Sequence, residues 1–205
     1  MSKLVPPHGS DTLMPLLLPE AERTESLRRA QSLKRVPMTS REMSDFLMLG
    51  MGAYTPLTGF MGHDDWRGCC VDMKLANGLF WPIPITLSCS EDIADSIAVG
   101  DDVALVDAES GELMGALQVT EKYKIDKAFE CHHVFRTDDP KHPGVAKVLS
   151  QGVVNLAGRV TALSEGIYPH QYKGLYYRPA ETRVLFTDKG WSRVAAFQKI
   201  GRAHV

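Results

Sequence analysis

Apolar and polar positions change rhythm several times along the 205 residues, and each change marks a predicted element. In PEAERTESLRRAQSLKR, Leu27, Ala30 and Leu33 recur at the spacing of one helix face. Pro19 suits a first helical position, Glu20 and Glu22 fall in the first turn, and Lys34 and Arg35 fall in the last. A helix dipole favours that charge placement, so the basic run is assigned to a solvated helix face rather than a binding patch. The next helix is predicted from Thr39, with Glu42 at capping-box spacing and Met43, Phe46 and Leu47 at helical intervals. Gly50 and Gly52 are expected to end it at positive φ, and YTPLTGF reads as a compact turn. A phosphate-binding loop is the rival reading of this glycine-rich stretch, and it lacks the GxxxxGK[ST] pattern.

From Leu79 onward the period becomes that of strands. LFWPIPITLSC is apolar and punctuated by prolines, as an edge or bulged strand would be. Val103–Asp107 and Glu112–Thr120 read as a hairpin whose turn carries Ser110 and Gly111. VVNLAGRVTAL reads as a further strand pair. Short strands with short helices around them predict a small, partly closed β-barrel at the centre of an α+β domain. The aromatic SEGIYPHQYKGLYYRP then reads as a linker lying on the domain surface. AETRVLFTDKGW predicts a helix stopped by Gly190, and SRVAAF an apolar strand, together the opening unit of an α/β domain.

Composition narrows the function classes. With 44% hydrophobic and 23% charged residues a sizeable core can form. A formal net charge of −2 argues against nucleic-acid or membrane-surface binding. The longest early apolar run, Leu13–Leu18, is broken by Pro15 and lacks signal-peptide flanks, so a cytoplasmic location is expected. Cys69, Cys70, Cys89 and Cys131 include no CxxC pair and are read as reduced, structural thiols. His132, His133 and His142 lie near Asp138 and Asp139, but adjacent imidazoles diverge and no HExxH spacing is present. That stretch is read as a polar connection, and no metal site is assigned.

Three segments, RVPMTSREMSDFLMLGMGAYTPLTGFM, VFRTDDPKHPGV and GWSRVAAFQ, resemble the ATP sulfurylase (sulfate adenylyltransferase) family in order and spacing. The resemblance covers the chain up to Gln198. It implies a PUA-like β-barrel domain over residues 1–163, then a linker and the first helix and strand of an α/β nucleotidyltransferase domain over 164–198. It implies adenylyl transfer from ATP to sulfate with Mg²⁺, giving adenylyl sulfate and pyrophosphate, in a parent protein that is a homo-oligomer. Gln198 matches the first residue of the family's Gln-Thr-Arg-Asn-Pro-x-His-Arg-Ala-His segment, and the resemblance implies a sulfate-binding role for it. An amide suits that role because it holds an oxyanion without offering a competing nucleophile. No catalytic residue is carried over, since Lys199–Val205 replaces the rest of the motif.

Two readings of that tail compete. An internal deletion would leave Arg202, Ala203 and His204 as a remnant of the motif. Translated adapter sequence accounts for every residue from Lys199 to Val205, so residues 199–205 are read as a non-native tail. The enzyme reading expects the parent protein to be active and the 205-residue chain to be inactive. The alternative is a non-catalytic PUA-like module that binds RNA or a partner, against which the near-neutral charge and the lack of a basic-aromatic surface pattern both count.

Overall fold

In the computed structural model, which describes residues 4–196, helix α1 (Glu20–Ala30) leads into strand β1 (Lys34–Met38). Helix α2 (Ser40–Gly50), the short strand β2 (Gly59–Phe60) and helix α3 (His63–Asp72) follow. Next come β3 (Ser88–Cys89), α4 (Glu91–Ser96), and the hairpin of β4 (Asp102–Asp107) and β5 (Leu113–Lys124). Helix α5 (Lys127–Glu130) runs into a π-helical turn (Cys131–Phe135), followed by α6 (Pro143–Ser150) and β6 (Val154–Ala162). Beyond the sheet lie α7 (Tyr168–Gln171) and α8 (Pro179–Asp188).

Strand β6 organises the sheet, whose order is β1-β4-β5-β6-β2 with β3 also paired to β6. One edge of β6 takes β5, and its other edge takes β3 and then β2, all antiparallel. The β1–β4 pair is parallel. Strands β1 and β3 come into contact, so the sheet curls into the partly closed barrel that the strand pattern predicts. Val36, Met38, Phe46, Leu105, Met114, Leu117 and Leu156 fill its interior and are inaccessible to solvent. The β2–β6 crossing depends on two glycines. A Cβ on Gly59 would collide with the Gly158 carbonyl, and one on Gly158 with the Gln118 carbonyl. Here the missing side chain lets two backbones approach closely.

Several expectations need correction. Helix α1 ends at Ala30, and Lys34 and Arg35 begin β1, paired with Val103 and Ala104. The helical rhythm of Leu33 is overridden by ladder hydrogen bonds that the sheet offers and a longer helix could not. Gly52 does adopt positive φ (81°), whereas Gly50 is the last residue of α2 and stays helical. Its smallness serves packing, since a Cβ there would stand 3.2 Å from that of Ala162. LFWPIPITLSC contributes only Ser88–Cys89 as strand, since Pro82 and Pro84 offer no N–H to a ladder. VVNLAGRVTAL is one long strand, β6, rather than a pair. Helix α3 was not foreseen, because its buried Trp66, Cys69 and Cys70 sit among charged residues and glycine.

The predicted strand after α8 is not formed. Arg193–Ala196 is irregular and exposed, and Phe197 and Gln198 lie outside the described residues. Among the described residues no strand runs beside this segment, and a lone strand leaves every N–H and C=O unpaired. No helix among the described residues is long and apolar enough to cross a membrane.

Candidate functional site

The end of the barrel and the segment that leaves it are joined by a compact polar latch. Glu165, just past β6, is buried although its carboxylate is charged by type. It accepts two hydrogen bonds from one guanidinium, Arg178 Nε at 2.8 Å and Nη2 at 2.5 Å, and a third from Tyr176 Oη at 3.2 Å. This fork-to-fork geometry fixes orientation as well as distance. Arg178 also caps α8, its backbone N–H and Nη1 reaching Glu181 at 2.6 and 3.1 Å. The hydrogen bonds to Glu165 hold the Arg178 guanidinium above its ordinary pKa, and burial with the nearby carboxylate pushes the Tyr176 phenol up to about 12. A second tie runs from Arg183 Nη2 to the Val5 carbonyl at 2.6 Å. Together these bonds set the start and direction of α8, the element that precedes Gln198.

Past Glu165 no described residue is buried, although the segment is rich in apolar side chains. Half of the large hydrophobic residues exposed in the described chain lie there, including Leu175 (81%), Val184 (60%) and Trp191 (45%). Single exposed apolar residues are ordinary, and this stretch carries eight of the sixteen found among the described residues. The latch fixes where α8 starts and how it leaves the barrel.

The barrel carries a second buried polar group on α2. Asp45 accepts from Tyr54 Oη at 3.2 Å and pairs with Arg41 Nη1 at 3.4 Å. Burial raises its pKa from 3.8 to about 6, with Arg41 and Tyr54 opposing the shift. The folded chain therefore binds this proton more tightly than the unfolded chain does. The group costs nothing below about pH 4, costs progressively more up to about pH 6, and costs a constant amount above that. Comparing Asp45→Asn with the parent chain by urea unfolding should show a pH-dependent difference. The balance is expected to move toward the variant by up to about 3 kcal/mol between acid and neutral pH. An identical difference at both pH values would contradict this.

The other sequence-flagged residues are dispersed. His132 and His133 are T-shaped neighbours 5.2 Å apart, with His133 Nδ1 2.9 Å from the Phe129 carbonyl, while His142 packs on Phe135. Among the described residues no group of three or more His, Cys, Asp or Glu is placed to hold a metal. All four cysteines are buried free thiols, and burial pushes Cys69 up to about 12 and Cys89 up to about 11. The latch was missed in the sequence because Glu165 and Arg178 meet across thirteen positions and a helix that periodicity does not announce. The one local signal, Arg178 three residues before Glu181, matches capping-box spacing but lacks the usual hydroxyl.

The barrel and its curled sheet are those of a PUA-like domain, and the chain belongs to that family, whose model matches residues 5–165. The match ends at the latch carboxylate. Beyond the domain itself, the chain is similar to sulfate adenylyltransferases. It is 57% identical over 202 residues to that of Chlorobium chlorochromatii and 52% identical over 204 residues to that of Thiobacillus denitrificans. These matches cover 98% and 100% of this chain and 50% of each relative. The chain thus spans about half the length of the curated relatives it matches. Among solved structures it resembles the hexameric APS kinase from Thiobacillus denitrificans, with a TM-score of 0.71 and 29% identity over 93% of this chain and 33% of that one.

Proposed function

We propose that the chain is the amino-terminal part of a sulfate adenylyltransferase, its PUA-like domain serving as the platform from which a catalytic α/β domain extends. In the complete protein a sulfate oxygen would attack the α-phosphorus of ATP. The new P–O bond forms as the bond to the β-phosphate bridge breaks, and pyrophosphate leaves. The observation that carries this reading is the identity of 48–58% over 97–100% of the chain to proteins of that name. Gln198 would contact sulfate, and the latch would act one step back by orienting α8. Mg²⁺ would enter with the ATP phosphates, as it commonly does. A cytoplasmic, homo-oligomeric enzyme agrees with this reading.

The domain division proposed is 1–163, 164–198 and a foreign tail at 199–205. Limited proteolysis should cut first between Ser164 and Arg178, where residues 171–175 are all exposed, and should spare the equally exposed turn at Ser110. The Asp107 carboxylate ties that turn down by accepting from the Glu109 and Ser110 N–H groups and the Ser110 hydroxyl. Preferential cleavage at Ser110 would overturn the division. Amplifying the source gene across the tail should give Gln198 followed by Thr-Arg-Asn-Pro and a further parallel-sheet domain. A gene reading Lys-Ile-Gly-Arg-Ala-His-Val and a stop codon would sink the proposal.

A further inference from the structure

A groove of about 290 Å³ lies where α1 crosses the outer face of the sheet, and its polar lining comes from Ser26, Arg29, Asp102, Gln118, Arg159 and Thr161. Helix α1 touches β5 and tucks Ala30 inward, which leaves Arg29 at the groove's edge. Ladder register explains the rest. Asp102 stands opposite Gln118, which stands opposite Arg159, and Ala116 stands opposite Thr161. Directly opposed residues share a face, so one row presents carboxylate, amide and guanidinium in that order. Neighbouring strands lie about 4.8 Å apart, which puts Asp102 and Arg159 about 10 Å from each other at the backbone. Gln118 between them keeps the pair from closing.

Arg29, Asp102, Gln118 and Arg159 are exposed, and Ser26 and Thr161 are half-buried. None of these six polar side chains finds a hydrogen-bond or ion-pair partner among the described residues. Five of them carry donor groups and line the same groove: two guanidiniums, an amide and two hydroxyls. Two unpaired cations facing a shared groove repel, and the single carboxylate leaves an excess of one positive charge. Guanidinium forks match tetrahedral oxyanions in geometry as well as charge.

We propose that this groove is a binding site for a tetrahedral oxyanion of the phosphate or sulfate type, held between Arg29 and Arg159 with Gln118, Thr161 and Ser26 completing its hydrogen bonds. The site rests on barrel residues alone and does not depend on the sulfate adenylyltransferase reading. Asp102 sets selectivity by disfavouring anions too large to avoid it.

The test is titration of the full 205-residue chain with sodium phosphate, sodium sulfate and sodium acetate at constant ionic strength, followed by amide NMR. Saturable shifts centred on Arg29, Gln118 and Arg159 are expected with phosphate or sulfate, and the stronger of the two identifies the natural class. Arg29→Gln and Arg159→Gln should each weaken binding about tenfold, as loss of a charge-assisted contact does. Asp102→Asn should strengthen it, and Arg35→Gln, an equal change of charge outside the groove, should leave it unaltered. Thermal unfolding without anion should show all four variants folded as the parent is. Acetate binding as tightly as sulfate, equal loss in Arg35→Gln, or no saturable shift at the groove would each overturn the proposal.

Discussion

Replacing Glu42 by alanine is expected to destabilise the chain by about 3–5 kcal/mol, the cost of removing one member of a buried charged network. Glu42 is wholly inaccessible, yet all its hydrogen-bonding capacity is used. Oε2 accepts from the Thr39 backbone N–H at 2.9 Å and its hydroxyl at 2.7 Å. Oε1 accepts from the Ser88 backbone N–H and hydroxyl, both at 2.7 Å. The carboxylate thus closes the first turn of α2 and ties it to Ser88 of β3, 46 positions further along the chain. Alanine would leave the Ser88 N–H buried without an acceptor and open a cavity beside it. Glutamine should cost less, because its amide keeps one acceptor oxygen while its NH₂ group faces two donors. Urea unfolding of the two variants measures this. Glu91→Ala, which removes an exposed partner of Lys124, should produce no measurable change. A Glu42→Ala chain within about 1 kcal/mol of the parent would show that the network is dispensable.

Local rules made some of the fold legible and left the rest to contacts between distant residues. The hairpin of β4 and β5 is written in alternation and in a turn with Gly111 at φ 74°, and it forms as expected. Helix α2 is likewise announced by Thr39, Glu42, Met43, Phe46 and Leu47. What spacing could not reveal is that Glu42 serves Ser88 as well as its own helix. Lys34 and Arg35 show the opposite failure, since a basic helix end and the first residues of a strand look alike without knowledge of the β4 ladder. Gln198, which lies outside the described residues, was accessible only through resemblance to a family. The latch of Glu165, Tyr176 and Arg178 needed coordinates, because no periodicity links a loop carboxylate to a guanidinium beyond a linker. The anion groove needed them too, since Arg29 and Arg159 lie 130 positions apart.

The 205-residue chain is expected to have no adenylyltransferase activity, while the complete protein encoded by the source gene is expected to be active. The described residues supply a platform and an oriented α8, with Trp191 and Val194 exposed just before Gln198. Adenylyl transfer needs several groups held together around the phosphates, and removing several members of one catalytic unit abolishes nearly all the rate enhancement. In the complete protein, Gln198→Ala should lower sulfate-dependent turnover by about 100-fold, the scale of losing one positioned hydrogen-bond donor, and leave stability nearly unchanged. The decisive measurement is sulfate-dependent release of pyrophosphate from ATP, made side by side on the purified complete protein and on the purified 205-residue chain. The account predicts turnover from the first and background from the second. Equal turnover from both, or none from the complete protein, would contradict it.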